Sequence, residues 1–180
     1  MQRKTVLMVA VVVIASAVIG TAAFNSGQVD RSVTVDVVGD DAAVTGLSPG
    51  SSSLVYYNAN NKLTVDFSNV ANANGVNANS TYTVGDNSSA TTDPAFQITN
   101  NDGATHTYTL SYSFATAPSS GDVKFHVYNS TGTYLGTVDS STDVSFDLTS
   151  GETAYVVMDL DAFGATVSDD LSGTFTVKVN

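Results

Sequence analysis

From residue 29 onward, apolar and polar positions alternate with a period of two, and no stretch beyond residue 28 carries a helical period. Val33, Val35 and Val37 form the first set, followed by Leu63, Val65 and Phe67, then Phe96 and Ile98. Tyr108, Leu110, Tyr112 and Phe114 come next, then Val123, Phe125 and Val127, then Val144, Phe146 and Leu148. Ala154, Val156, Met158 and Leu160 precede a last set of Leu171, Phe175, Val177 and Val179. Each set turns one apolar face inward and one polar face to water, as antiparallel sandwich strands do. Turn chemistry separates them at Leu47-Ser-Pro-Gly50, Asn100-Asn-Asp-Gly103, Pro118-Ser-Ser-Gly121, Ser130-Thr-Gly132 and Thr149-Ser-Gly151. The pattern predicts an all-β fold, an antiparallel β-sandwich of jelly-roll type, as a single domain over residues 24–180. Residues 69–92, dense in Asn, Ser, Ala and Gly, read as a long and poorly packed excursion to one side.

The first 23 residues are different. Arg3 and Lys4 precede an apolar run over residues 6–19 and small residues at 20–23, the layout of a signal peptide. Cleavage after Ala22 or Ala23 places small residues at the required positions. The run is shorter than the roughly 20 residues that a membrane span needs. Stretched from Thr5 to Phe24 it reaches that length, so a helix retained after a cut behind Lys4, as in a type IV pilin, is the competing reading.

Charge narrows the function. Six basic residues face 17 acidic ones for a net charge of −11, and Glu152 is the only Glu. Nucleic-acid binding needs clustered Lys and Arg, so that class is excluded. The absence of Cys removes disulfides, thiolate metal sites and thiol nucleophiles. Loss of the signal segment takes Arg3 and Lys4 with it and makes the net charge more negative, −13. Such an excess destabilises a fold by self-repulsion unless salt screens it, which points to a halophile's extracellular protein, with an ordinary acidic secreted domain as the alternative.

Catalytic signals are few. The two histidines, His106 and His126, sit within strand patterns on outward positions, and neither belongs to a His-Glu-x-x-His motif. One Gly-x-Ser-x-Gly match occurs, Gly46-Leu-Ser-Pro-Gly50, but it falls in a predicted turn of a chain with no helical period to follow it, so it is not a nucleophile elbow. No catalytic or cofactor-binding residue and no metal ligand is assigned, and the chain is read as a non-enzyme. The Asp pairs 159/161, 169/170 and 139/143 could offer oxygens to calcium, although solvated Asp is the default in so acidic a chain. Three Asn-x-Ser/Thr sequons start at Asn79, Asn87 and Asn129, each in a predicted loop or turn, and are candidate N-glycosylation sites of a glycoprotein.

Gly20 to Phe24, followed by Asp30-Arg-Ser-Val-Thr-Val35, resembles the mature start of a group of secreted haloarchaeal proteins without an assigned activity. Gly75-Val-Asn-Ala-Asn79 is similar to their Gly-Val/Leu-Asn-Pro-Asn element, with Ala for Pro, and Phe96-Gln-Ile-Thr-Asn100 to a strand end. The likeness covers about the first 100 residues and extends more distantly to biofilm fibre proteins of the TasA and camelysin type and to archaeal bundling pili. It implies jelly-roll subunits that donate an N-terminal strand to a neighbour. Here the donor would be residues 24–38, with Phe24, Val29, Val33, Val35 and Val37 as anchors, unless that segment is strand one of its own sandwich. The implied protein is a secreted, non-catalytic subunit of an extracellular filament, pilus or biofilm matrix fibre. It would partner itself, meet the membrane only during export and touch cell-envelope glycoproteins. A monomeric secreted β-sandwich that binds a surface protein or glycan is the alternative.

Composition alone carries one expectation. Lowering salt from molar to tens of millimolar should cost the protein structure, seen as loss of its β-sheet circular dichroism. Full retention of the spectrum in dilute buffer would count against a halophilic origin.

Overall fold

The computed structural model describes residues 39–40, 42–69, 75–166 and 168–180. The signal segment and the donor segment, including Ala22, Ala23, Phe24, Val29, Val33, Val35 and Val37, lie outside the described residues. The described chain contains strands and turns and no helix. In order the strands are β1 (Thr45–Pro49), β2 (Val55–Tyr57), β3 (Leu63–Val65), β4 (Thr81–Val84), β5 (Phe96–Asn100) and β6 (His106–Phe114). They continue with β7 (Asp122–Tyr128), β8 (Tyr134–Val138), β9 (Val144–Leu148), β10 (Thr153–Asp161) and β11 (Gly173–Val179). Every pairing is antiparallel.

Two sheets pack face to face. The larger runs β1-β5-β10-β7-β8, with β4 also on β10; the smaller runs β11-β6-β9, and β2-β3 form a separate hairpin. The alternation read from the sequence decides which side is buried. Tyr108, Leu110 and Tyr112 of β6 turn inward, against Ala154, Val156, Met158 and Leu160 of β10 and Val123, Phe125 and Val127 of β7. Between the layers, Phe96, Phe125 and Phe175 meet with centroids 4.6–6.3 Å apart, edge-on or tilted, as ring quadrupoles prefer. The antiparallel sandwich predicted from periodicity is the fold observed.

Four described strands were not legible as strands. β1 runs through Leu47-Ser-Pro49, which reads as a turn. Pro49 is tolerated because β1 is an edge strand, where a missing N–H breaks no ladder on the open side. The turn follows at Gly50, whose α-carbon approaches Pro94 so closely that a β-carbon would lie 1.8 Å from its carbonyl oxygen. β2 and β8 are short or carry glycine, which dilutes the alternation.

The correction that matters most concerns residues 69–92. This segment holds β4, paired with β10 from Thr81 opposite Asp161 to Val84 opposite Met158, and Val84 is buried. The loop beyond it lies on the outer face of the large sheet, where Ala90 packs on Tyr128 and Val157. Asn and Ser dilute the hydrophobic signal there, and the ladder with β10 supplies what local sequence does not.

Two buried polar groups behave oppositely. Asn100, fully buried at the end of β5, donates through Nδ2 to the Ala104 and Leu148 carbonyls at 2.8 and 2.9 Å. Its Oδ1 accepts the Asp102 N–H at 3.0 Å. The Tyr108 hydroxyl, equally buried, has no hydrogen-bond partner among the described residues. Breaking a satisfied buried network leaves its partners stranded, whereas deleting an unpaired hydroxyl removes a desolvation cost. Urea unfolding should therefore show Asn100→Ala destabilised by about 2–4 kcal/mol. Tyr108→Phe should be neutral or more stable by up to about 1 kcal/mol. A marked loss in Tyr108→Phe would mean that its hydroxyl is bonded after all.

Candidate functional site

β11 lies at the margin of the small sheet and, among the described residues, pairs only with β6. Its register is regular over seven residues, from Gly173 opposite Phe114 to Val179 opposite Tyr108. The strand end fixes which amides point where. Asn180 exchanges both backbone hydrogen bonds with Thr107. By antiparallel alternation the main chain of Thr174, Thr176 and Lys178 turns to β6. That of Gly173, Phe175, Val177 and Val179 consequently faces the open edge. Phe175 and Val177 pack partly buried on the core, while Thr174, Thr176 and Lys178 are exposed. This is an edge without bulge or proline and with a half-covered apolar flank, suited to pairing with another strand.

The other edges are closed in part. On β1, the Leu47 N–H donates to the Asp40 carbonyl at 2.7 Å, and the Tyr57 hydroxyl donates to the Leu47 carbonyl at 2.8 Å. β8 carries a register irregularity against β7, which twists its edge away from regular pairing.

The histidines are half-buried and each meets a carboxylate. His106 Nε2 contacts Asp102 Oδ2 across the turn after β5, and this hydrogen bond is the main reason that the Asp102 carboxyl is held below its usual range. His126, on the outer face of the large sheet, joins Asp159 Oδ2 at 2.9 Å through Nε2 and Thr137 Oγ1 at 2.8 Å through Nδ1. Thr83 donates to the other Asp159 oxygen at 2.7 Å. The bonds thus lace β8, β7, β10 and β4 together. The order Thr137, His126, Asp159 is that of a proton relay, but the surrounding amides of β10 are spent in ladders with β7 on one side and β4 on the other. They are not aimed at a developing oxyanion. The arrangement orients side chains on the sheet surface.

The acidic residues have local employment. Asp66, Asp86 and Asp139 each accept the N–H and hydroxyl of the serine two positions on, with N–H distances of 2.8 Å. Asp170 accepts the Ser172 N–H at 2.9 Å. These are Asx turns, which a shorter Asp side chain closes and Glu does not. Their serine partners hold all four carboxyls below the ordinary value. Asp169 instead bridges two loops, accepting the N–H and hydroxyl of Ser119 at 2.9 and 2.6 Å and those of Thr166 at 2.9 and 3.0 Å. The Ser119 hydroxyl is the leading cause of its strongly depressed pKa.

In the 159/161 and 169/170 pairs considered for calcium, each acid has its own hydrogen-bond partners. Asp159 serves His126 and Thr83, Asp161 caps the Phe163 N–H at 2.8 Å, Asp169 joins Ser119 to Thr166, and Asp170 caps the Ser172 N–H. Lys124 stands among Asp122, Asp139 and Asp161; its bond to Asp122, 3.2 Å away, is the first cause of its raised pKa. Among the described residues no group of three or more His, Asp or Glu is placed to hold a metal ion.

The sequons occupy three settings. Asn79, exposed with φ 58°, accepts the Gly164 N–H at 2.8 Å and so ties the approach to β4 to the loop after β10. Asn87, exposed, accepts the Tyr128 hydroxyl at 2.9 Å. Asn129, half-exposed, opens the β7–β8 turn. The Asp-x-Ser spacing of the turns was present in the sequence; the open edge was not, because edge position depends on topology. No family model and no curated protein matches the chain.

Because the folded Asp169 pKa is depressed, its contribution to stability is complete above the unfolded carboxylate range, about pH 4, and is lost as pH falls toward the native value. Asp169→Asn should lower Tm at pH 7, and the gap to the parent should narrow as pH drops below about 4. A gap of constant size across that range would show that the charge does not matter.

Proposed function

We propose that the chain is a secreted, non-catalytic structural subunit that assembles with copies of itself into an extracellular filament by N-terminal strand donation. The observation that carries this reading is the open edge of β11, four of whose residues direct their backbone groups away from β6. A strand added there gains main-chain hydrogen bonds, and its alternate side chains can lie against Phe175 and Val177. Residues 29–37 have the matching pattern, apolar at Val29, Val33, Val35 and Val37. Contacts of this kind are head-to-tail and do not close, so they propagate as a fibre. The acidic, Lys-poor composition agrees with an extracellular location and argues against a nucleic-acid partner.

Deleting residues 24–32 tests the reading. The shortened chain should keep its circular dichroism spectrum and be exported, yet form no fibres by electron microscopy of sheared material. Fibres of normal appearance from that variant would overturn strand donation.

A further inference from the structure

One motif stands outside the assembly reading. The three sequons differ in how the carboxamide is held, and the difference bears on its reactivity. At Asn129 the side chain closes on its own turn. Oδ1 accepts the Thr131 N–H at 3.0 Å, the Thr131 hydroxyl at 2.8 Å and the Thr133 N–H at 2.9 Å. The backbone completes a tight hairpin turn, with Asn129 N–H on the Thr133 carbonyl at 2.9 Å and Gly132 N–H on the Asn129 carbonyl at 3.0 Å. Gly132 takes φ 80°, open to glycine at little cost. The residues after Asn129, from Ser130 through Thr133, are all exposed.

Three donors on one carboxamide oxygen withdraw electron density from it, and the amide resonance then makes the Nδ2 protons more acidic. With Oδ1 turned into the loop, Nδ2 is the part of the amide left to meet a reagent. The hydroxyl two residues on, which defines the sequon, is one of those donors. The other two sequons lack this closure. At Asn87 the carboxamide is bound by Tyr128 from another strand, and the Ser89 hydroxyl donates to Asp86 at 3.2 Å. At Asn79 it is bound by Gly164, and Thr81 is committed to β4 opposite Asp161.

We propose that Asn129 is the N-glycan acceptor of this protein, selected over Asn79 and Asn87 by the turn that its own sequon closes. The donor class is a lipid-phosphate-linked oligosaccharide. Nδ2 forms a bond to the sugar C1 while the C1–O bond to phosphate breaks, and the phosphate leaves with the bonding pair. The displaced Nδ2 proton passes to a base of the transferase, and nothing is oxidised or reduced. In the cell the modification rests on the export reading, because the exported chain is the one that meets such a donor.

The test separates the two. The purified, folded full-length chain is incubated with an oligosaccharyltransferase and a lipid-linked oligosaccharide, and glycopeptides are mapped by mass spectrometry. Asn129 should be occupied several-fold faster than Asn79 or Asn87. Thr133→Pro, which keeps the Asn-Ser-Thr sequence but removes one donor N–H, should slow Asn129 several-fold while circular dichroism is unchanged. An unmodified Asn129, equal rates at all three sites, or an unaffected Thr133→Pro variant would each overturn the proposal. Should Thr133→Pro fail to fold, the ranking in the parent chain still decides. Modification in vitro, with the protein retained inside the cell, would leave this inference standing and count against the export reading instead.

Discussion

The carboxamide of Asn100 connects the two halves of this sandwich. Its carbonyl and N–H groups link β5, in the large sheet, to the turn that leads into β6 and to the end of β9, both in the small one. The backbone of the same residue holds the turn between β9 and β10, through Gly151 N–H at 2.7 Å and the Glu152 carbonyl at 3.0 Å. Two crossings between layers thus meet at one fully buried side chain. A hydrophobic residue could fill the space, but it could not fix the direction in which the chain leaves each strand. Polar groups in a low-dielectric interior specify geometry because leaving them unpaired is so costly.

The same economy extends to the surface. With so few basic residues, the described chain has little scope for ion pairing, and its carboxylates are instead hydrogen-bonded to serine and threonine. Asp66, Asp86, Asp139 and Asp170 each shape a turn at a distance of two residues. This gives the near-exclusive use of Asp a structural reason: an extra methylene would carry the carboxylate past the N–H that it caps. Asn129 is the neutral member of the same turn family. It keeps the geometry and replaces a charged, unreactive acceptor with an amide that has a nitrogen to offer.

These features bear on assembly. In the proposed filament, negatively charged copies would repel one another, so assembly would need contacts that charge does not govern. Main-chain pairing along β11 would be such a contact, and the partly buried Phe175 and Val177 would add burial. The β1 edge is partly occupied by Asp40 and Tyr57, and β8 carries a register irregularity.

The sequence by itself determined the fold class and most of the core. The period-two sets ending at Leu160 and Val179 place Tyr108, Leu110, Val127 and Val156 inside, because a strand with one apolar face has only one side to bury. It also carried the turn spacing, the sequons and the charge. It did not reveal β4, whose few apolar residues sit among Asn and Thr and become a strand only by pairing with β10, some 75 residues away in sequence. Nor did it reveal that His106 and His126 each meet an Asp, that Asn100 is buried, or that Asn129 closes on its own turn while Asn87 is bound by Tyr128. Strand order and edges were equally hidden. Alternation tells a residue which face it occupies and nothing about its neighbour, since partners are chosen by long-range register, and only the assembled sheets supply that.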